Sequence, residues 1–291
     1  MSLSVIVTSY RSRRILEACL TSLGRQVEAR DIVVADCSPD DPSDDLRARF
    51  PNVRVMHLPK KVTVPVLRWG AVPATDGDVV AAIEARCVPS DTWCAELLDA
   101  HARWPEAPAV GGPVGLKADA SPFDWGVYFA EFAAFAPPLA TGASAQLSGA
   151  NLSYKRAALT ANQDVMDSGQ WEAVLHERWC AEGRVLRLSA AGVVFHNGMT
   201  PGDAMRMRFH YGRSYAADRF GDRRAVAWLL AAACPVLPAV LTYRVAAQAV
   251  RKGLGRRCLI ALPWIVAFNV AWSAGEIAGY LFGRAREAHI Y

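Results

Sequence analysis

An acidic and a basic residue stand two positions apart where an apolar stretch of the sequence ends. Residues 79–83 are all apolar and are followed by Glu84-Ala85-Arg86 and then by Pro89. In an extended chain, side chains two residues apart point to the same face, and the end of a buried strand lies at the sheet edge where open α/β folds bind ligands. If the chain is an enzyme, its chemistry should lie close to Glu84 and Arg86. The alternative is a surface ion pair at a strand end.

The elements upstream of this strand predict a parallel sheet. Strands are expected at 5–7, 31–34 and 53–56, with a helix near 12–23 and a helix end at 69–74. Strands that alternate with helices at intervals of about 25 residues are typical of βαβ units. Right-handed crossovers then place the loops after these strands along one edge of the sheet.

This edge is predicted to collect Thr8, Tyr10 and Asp36 beside Glu84 and Arg86. The sequence contains neither a GxGxxG motif after the first strand nor a GxxxxGK[ST] phosphate loop. If this edge binds a nucleotide, side chains rather than a glycine-rich loop must hold it. An aromatic ring would stack on the base, and a carboxylate would bind a base or ribose edge. The alternative for Asp36 is turn chemistry, which aspartate often supplies.

Charge is divided unevenly along the chain. Residues 1–205 carry 19 Lys and Arg against 24 Asp and Glu, whereas residues 206–291 carry 13 against 4. The second part is also rich in apolar runs, a combination that fits a membrane surface better than nucleic acid. The seven cysteines show no CxxC pair and no zinc spacing, which indicates small buried residues in a reducing compartment. The N-terminus leads straight into a strand, so no signal peptide is predicted.

A basic, aromatic segment at 206–215 opens the second part. It is predicted to form a helix at a membrane interface, with Arg208, His210 and Arg213 available to a lipid phosphate or to the diphosphate of a bound nucleotide. The alternative is a solvated basic helix.

Two apolar stretches follow, at 225–243 and 258–282, and each is long enough to span a bilayer. Two prolines interrupt the first stretch, and Glu276 interrupts the second. Two full spans would place the basic connection at 251–257 on the side opposite the α/β part of the chain, contrary to the positive-inside rule. Re-entrant or interfacial helices with their basic flanks on the cytoplasmic side are therefore favoured over two spans.

Five motifs in a fixed order carry a family resemblance. They are Val5-Ile6-Val7-Thr8-Ser9-Tyr10 with the following helix, Val33-Val34-Ala35-Asp36-Cys37-Ser38, the stretch 77–93, the stretch 148–156, and the stretch 171–183 that begins with Trp171-Glu172. Together they resemble a family 2 glycosyltransferase with a GT-A fold. The resemblance implies a mostly parallel sheet flanked by helices, which binds a nucleotide-diphosphate sugar.

The resemblance also implies roles for individual residues on the donor side. Thr8, Tyr10 and Asp36 would hold the nucleobase, and Glu84 would hold the ribose and the nearby phosphate. Arg86 stands where the family places a metal-binding aspartate.

On the acceptor side, Glu172 matches the acid that serves as general base, and Asn151 lies in the motif that matches the acceptor-side strand and loop. An inverting transfer needs one carboxylate near the acceptor hydroxyl and stabilisation of the leaving diphosphate. A first-turn glutamate that only complements the helix dipole is the alternative for Glu172. Trp171 replaces the acid that precedes the base in the family.

Arg86 raises a question about the cofactor, because arginine cannot ligate a cation. One hypothesis is that Arg86 replaces the metal by pairing with the diphosphate, which suits its planar fork. The other keeps a divalent cation, Mg or Mn, held by Glu84 and by His196, which matches the family's late histidine.

The sequence thus predicts a GT-A catalytic domain at 1–205 and a basic interface helix with two apolar helical segments at 206–291. We expect an inverting glycosyltransferase attached to the cytoplasmic face of the cell membrane. Its predicted partners are a nucleotide-diphosphate sugar, a lipid-linked or membrane-presented acceptor and membrane lipid, without nucleic acid. The alternatives are a catalytically impaired nucleotide-binding membrane scaffold and a nucleotidyltransferase.

Overall fold

The first apolar run of the sequence, Leu3–Ser9, forms a strand whose residues are all buried. The computed structural model describes residues 1–220 and 224–283. Its strands are β1 (Leu3–Ser9), β2 (Ile32–Asp36), β3 (Arg54–His57), β4 (Val79–Glu84), β5 (Cys87–Pro89), β6 (Ala109–Gly111), β7 (Val114–Leu116), β8 (Gly142–Ser144), β9 (Asn151–Lys155), β10 (Leu186–Leu188) and β11 (Val193–Phe195).

Helices precede and follow these strands. They are α1 (Arg13–Leu23), α2 (Ser43–Arg49), α3 (Val64–Ala71), α4 (Trp93–Arg103), α5 (Pro122–Phe132), α6 (Arg156–Thr160), α7 (Gln163–Asp167), α8 (Glu172–Ala181), α9 (Pro201–Phe220), α10 (Arg224–Ala233), α11 (Leu237–Arg251) and α12 (Gly255–Phe282). The predicted helix near 12–23 and the predicted helix end at 69–74 correspond to α1 and to α3 with its following 3₁₀ turn.

Among the described residues, eight strands form one sheet in the order β3-β2-β1-β4-β9-β6-β10-β8. The first four run parallel, and the mostly apolar sequences of β1, β2 and β4 fit strands that are buried on both faces. The register pairs Ser9 with Asp36 and Thr8 with Glu84, so the carboxyl ends of β1, β2 and β4 lie at one edge. The prediction of a mostly parallel α/β sheet is confirmed.

Antiparallel strands extend this edge. β9 pairs with β4 so that Asn151 lies opposite Ile83. In a second, three-stranded sheet of order β5-β11-β7, β11 pairs with β5, and Phe195 lies opposite Cys87. The chain after β11 therefore returns beside Arg86.

The chain divides into two compact units. The first contains the sheets and comprises residues 1–115 and 135–196. The second is helical and comprises 116–134 and the described residues from 197 onward. The division into 1–205 and 206–291 stays a prediction. The basic flanks predicted around the apolar stretches fall partly on 221–223 and 284–291, which lie outside the described residues.

In the helical unit, two stretches are long and apolar enough to cross a membrane by length and composition, Ala227–Arg251 and Gly255–Phe282. The first is divided, because α10 ends at Ala233 and a 3₁₀ turn containing Pro235 precedes α11. The second is one helix, and Glu276 does not interrupt it. The Glu276 carboxylate accepts hydrogen bonds from the Trp272 indole at 2.5 Å and the Tyr280 hydroxyl at 3.2 Å.

Glycines allow α9 and α12 to pack backbone to backbone. Gly212 of α9 lies against the Trp272 carbonyl, and Gly275 and Gly279 of α12 lie against carbonyl groups of α9. A Cβ atom on any of the three would overlap an oxygen of the other helix. Small residues permit this close approach between apolar helices.

We predict that Gly212→Ala destabilises the helical unit, because the new methyl group would enter the Trp272 carbonyl. Overpacking of this kind typically costs about 1–3 kcal/mol. Gly202→Ala on the same helix is the matched control, since its Cβ would meet nothing closer than the Thr200 hydroxyl at 4.0 Å. Thermal unfolding in detergent should show a lower Tm for Gly212→Ala alone. Equal melting of both variants would contradict the packing described.

Candidate active site

The sheet edge formed by β1, β2 and β4 carries Thr8, Asp36 and Glu84. Thr8 and Asp36 are each 1% exposed, because they end strands buried within the sheet. The Thr8 hydroxyl oxygen has no hydrogen-bond partner within the part of the chain that the structure describes. A buried hydroxyl without a partner is costly and indicates a place for a polar ligand atom or water.

Asp36 is fixed by neighbours from two elements. Its carboxylate accepts hydrogen bonds from the Ser38 backbone N–H at 2.8 Å and the Ser38 hydroxyl at 2.9 Å. The His57 Nδ1 atom, at the end of β3, lies 3.2 Å from the same carboxylate. The turn chemistry considered for Asp36 is present, and it orients the carboxylate at the sheet edge.

Tyr10 follows Ser9, the residue that pairs with Asp36, and lies in a loop with two nearby cations. The Lys61 Nζ atom is 4.8 Å and the Arg11 guanidinium carbon 5.4 Å from the centre of the Tyr10 ring. Arg11 has a positive φ of 50°, and its backbone N–H donates to the Ser38 hydroxyl at 2.8 Å. These contacts fix the loop that presents the aromatic ring.

Glu84 and Arg86 form an ion pair, which the sequence offered as the alternative to a role in chemistry, but the pair is largely buried rather than on the surface. The Arg86 guanidinium donates to the Glu84 carboxylate at 3.0 Å, and the side chains are 12% and 16% exposed for Arg86 and Glu84. The guanidinium carbon lies 5.1 Å from the centre of the Phe195 ring. The backbone N–H of His196 donates to the Arg86 carbonyl at 2.7 Å. Arg86 thus contacts Glu84 through its side chain and His196 through its backbone.

These side chains do not form a metal site on their own. A divalent cation needs several oxygen or nitrogen ligands around one point. No three His, Cys, Asp or Glu side chains within residues 1–220 and 224–283 are grouped in this way. The carboxylate of Glu84 is bonded to a guanidinium, which cannot ligate a cation. The pairing of Glu84 with His196 as metal ligands stays a prediction.

Glu172 is the first residue of α8, as its predicted place at a helix start requires. One carboxylate oxygen accepts a hydrogen bond at 2.9 Å from Arg68, a buried residue of α3. Arg68 also donates to the carbonyl of Gly149 at 2.7 Å. Gly149 lies two residues before Asn151, which pairs with β4, so these contacts connect Glu172 to the loop beside the end of β4.

An aromatic cluster lies behind Glu172. The Tyr154 ring centre is 5.7 Å from that of Trp69, 6.5 Å from His176 and 6.0 Å from Trp179. Burial lowers the pKa of His176 to about 4, and it raises the pKa of Tyr154 well above its ordinary value. Both groups are therefore neutral near pH 7, and the charge next to Glu172 is that of Arg68.

Asn151 is fully buried, and its amide group is bonded within the protein. Its nitrogen donates to the carbonyls of Pro113 and Ala191 at 3.0 and 2.7 Å, and its oxygen accepts from the Trp93 indole at 2.8 Å. These bonds join the start of α4 to the loops that contain Pro113 and Ala191. The role of Asn151 in acceptor binding stays a prediction, and direct contact with a ligand would require some of these bonds to break.

Arg208, His210 and Arg213 lie on α9 in the helical unit. Arg208 is buried, with its guanidinium carbon 4.5 Å from the centre of the Trp272 ring, and burial lowers its pKa below the ordinary value. Arg213 donates to the Gly283 carbonyl at 2.8 Å, and the His210 ring lies 5.4 Å from that of Phe209. The packing of α9 on α12 differs from a fully solvated basic helix. Binding of phosphate by these residues stays a prediction.

The mainly parallel sheet, with polar side chains collected at its carboxyl edge, defines a GT-A type fold. Residues 4–132 match the family described as Glycosyl transferase family 2. Over this part of the chain, the predicted family, fold class and enzyme class are confirmed. A comparison with curated proteins gives no match.

Two solved structures are similar to this chain to different degrees. The mannosyltransferase PcManGT from Pyrobaculum calidifontis, in complex with GDP-Man and Mn2+, is 17% identical with a TM-score of 0.58, over 95% of this chain and 87% of that chain. Glucosyl-3-phosphoglycerate synthase from Mycobacterium tuberculosis, in complex with Mn2+, UDP and glucosyl-3-phosphoglycerate, is 14% identical with a TM-score of 0.44, over 68% and 73%. At this identity, the first likeness shows the fold alone.

Sequence reasoning missed three side chains that contact the predicted site: Lys61, His57 and Arg68. Each lies in a segment with no motif of its own. The only sequence signal for Arg68 was its basic side chain ahead of the strand at 79–83. Its partner Glu172 could not be inferred from this, because the two residues are 104 positions apart. The roles predicted for Thr8, Tyr10, Asp36, Glu84 and Arg86 in donor binding, and for Glu172 as base, stay predictions.

Proposed function

We propose that the protein is an inverting glycosyltransferase that moves a sugar from a nucleotide-diphosphate donor to a hydroxyl group of a lipid-linked or membrane-presented acceptor. The observation that carries this proposal is the common edge at which Thr8, Asp36, Glu84 and Arg86 lie within a family 2 domain. At that edge, oxygen atoms that can form hydrogen bonds with a nucleoside lie beside a cation that can bind a diphosphate.

The nucleoside is held by Tyr10, Asp36 and Thr8 in this proposal. The Tyr10 ring offers a face for stacking, and the oriented carboxylate of Asp36 accepts an N–H of the base. The Thr8 hydroxyl, which is buried without a partner among the described residues, would gain one from the base. Glu84 accepts hydrogen bonds from ribose hydroxyl groups.

The diphosphate lies against Arg86 in this proposal. A guanidinium matches two phosphate oxygens with parallel hydrogen bonds and stays charged throughout the reaction. Its positive charge stabilises the leaving nucleoside diphosphate as negative charge develops there. Glu84 and the Phe195 ring hold the guanidinium in place.

Glu172 takes the proton of the acceptor hydroxyl. The acceptor oxygen forms a bond to the anomeric carbon from the side opposite the diphosphate, and the bond from that carbon to the diphosphate breaks. The electron pair of the broken bond leaves with the nucleoside diphosphate. A single displacement of this kind inverts the anomeric configuration and needs only one carboxylate base.

The helical unit supports a membrane-presented acceptor, because large apolar side chains are exposed on it. This apolar surface consists of Trp228, Leu229, Val236, Val240, Tyr243, Val250, Leu259, Ile260, Val266, Val270 and Phe282. An accumulation of large exposed apolar side chains is typical of a surface that contacts lipid or another protein. Basic residues next to it fit anionic lipid. An enzyme attached to a bilayer meets acceptors carried by the same bilayer at a high effective concentration.

We predict that Glu172→Gln lowers turnover by about 100- to 10,000-fold, the usual range for loss of a general base. Donor affinity should stay at the wild-type value, since Glu172 contacts the acceptor. A screen of nucleotide sugars for transfer and for thermal stabilisation supplies the donor. The matched control is Glu177→Gln, an exposed glutamate of the same helix. Wild-type turnover in Glu172→Gln would remove this residue from the mechanism. If the wild-type protein binds the donor but transfers no sugar, the alternative of a catalytically impaired nucleotide-binding scaffold is favoured.

We predict that Arg86→Met weakens donor affinity at least about tenfold, which corresponds to roughly 1.4 kcal/mol. Arg86→Lys should retain part of the affinity, since it keeps the charge without the planar fork. Isothermal titration with the donor, with and without EDTA, measures both effects. The wild type should bind equally well in EDTA.

Arg86→Asp tests the metal directly. This variant should lose donor affinity in EDTA and regain it with Mn²⁺, because it introduces a carboxylate ligand beside Glu84. Loss of wild-type binding in EDTA, restored by Mn²⁺ or Mg²⁺, would instead support a cation held by Glu84 and His196.

We predict that the full-length protein binds vesicles of anionic phospholipid through the apolar surface. Leu229 and Leu259 are 73% and 69% exposed, so changing both to glutamate should not disturb the interior. Loss of two inserted leucines should weaken vesicle partitioning by at least about 100-fold. Co-flotation measures this effect, with Ala161→Glu at an exposed position of the first unit as control. Equal flotation of the double variant would contradict the proposed surface.

The side of the membrane is tested with Cys180, which is exposed while the other six cysteines are buried. We infer that the first unit faces the cytoplasm, so a membrane-impermeant maleimide should label Cys180 in inverted vesicles and not in intact cells. Labelling in intact cells would place the unit on the outer face.

A further inference from the structure

The carboxylate of Glu172 is held by a cation from a distant part of the chain. The Arg68 guanidinium, on α3, donates to the Glu172 Oε2 atom at 2.9 Å. The Arg68 side chain is 1% exposed and that of Glu172 is 13% exposed, so solvent reaches the acid and hardly reaches its partner. One face of the carboxylate is thus fixed while the group remains accessible.

The same guanidinium fixes a loop. Its second terminal nitrogen donates to the Gly149 carbonyl at 2.7 Å. A Cβ atom on residue 149 would overlap the Oε1 atom of Glu172, so the carboxylate lies directly against this backbone. Arg68 therefore joins the first residue of α8 to the loop that leads into β9 and runs beside the end of β4.

The segment before Glu172 is fixed from the same helix. The Trp69 indole donates to the Gln170 carbonyl at 2.7 Å, two residues before Glu172. One turn further along α8, His176 has a pKa lowered to about 4 by burial and carries no charge near pH 7. The cation beside the Glu172 carboxylate is therefore Arg68, and the adjacent Trp69 holds the backbone two residues before Glu172.

We propose that Arg68 is a positioning residue for Glu172 and sets the location from which the carboxylate takes the acceptor proton. This inference rests on the proposed function of Glu172 as base. A free glutamate side chain has three rotatable bonds, and a displacement of about 1 Å at a reacting group can cost about 100-fold in rate. The guanidinium restricts that freedom through its hydrogen bond to the carboxylate, and its second hydrogen bond fixes the Gly149 carbonyl at the same place.

A gain in folding stability is a weak explanation for the buried ion pair between Arg68 and Glu172. Burial of an arginine is costly, and buried ion pairs often contribute no more than apolar residues of similar size. The Arg68 contacts do, however, determine where the carboxylate lies relative to the loop at 149. Positioning of the Glu172 carboxylate therefore accounts for the burial of the Arg68 charge.

The test compares Arg68→Lys, Glu172→Gln and the double variant with the wild type. Arg68→Lys keeps the charge and shortens the reach, which protects the fold. We expect kcat to fall about 10- to 100-fold while the KM for the donor stays within about twofold. In the Glu172→Gln background, Arg68→Lys should have no further effect on kcat, because Arg68 acts through the lost carboxylate.

Gly149→Ala supplies a second test that leaves Arg68 intact. Its methyl group would displace the carboxylate, so kcat should fall as in Arg68→Lys. Gly70→Ala, on the helix that carries Arg68, meets nothing closer than a methionine methyl at 3.9 Å and should behave as the wild type.

Chemical rescue is a third test. Guanidinium added to Arg68→Ala, at a concentration that does not denature the protein, should restore part of the lost kcat.

The outcomes separate this inference from the proposed function. If Glu172→Gln lowers kcat and Arg68→Lys does not, Glu172 is the base and the inference is wrong. Additive losses, or a raised donor KM with unchanged kcat, would show that Arg68 acts independently of Glu172 and would also overturn it. If Glu172→Gln retains wild-type turnover, the assignment of the base is wrong, whatever Arg68 does.

Discussion

The parallel register of three strands is the constraint on which the proposed site depends. β2, β1 and β4 end at one level because Ser9 pairs with Asp36 and Thr8 pairs with Glu84. A slip of one residue would turn every side chain of a strand to the other face, and the polar residue at the end of that strand would no longer lie beside those of its neighbours. The register of the buried strands therefore sets where the polar groups lie.

The parts of the site that follow from local rules could be predicted from the sequence. The alternation of side chains along a strand places Glu84 and Arg86 on one side, and they form an ion pair there. The position of Glu172 at a helix start follows likewise from the apolar pattern after it. The break between α10 and α11 follows from Pro235, which lacks an N–H and ends a helical ladder.

What could not be predicted depends on contacts between distant segments. Arg68 in a short helix gives no signal of its partner, because a buried cation and an exposed one have the same sequence pattern. Residues 116–134 belong to the helical unit although they lie far before the apolar C-terminal stretches. The bonds of Asn151 are equally hidden, since they join carbonyls at 113 and 191 that no motif marks.

The contact between Gly149 and the Glu172 carboxylate has a consequence for related sequences. The space that a Cβ atom would need at 149 is taken by the end of the longer acid at 172. An aspartate at 172 would end one methylene earlier and leave that space open. We therefore expect the two positions to covary among homologues: glycine at 149 should accompany glutamate at 172, and larger residues at 149 should appear only where the acid is shorter.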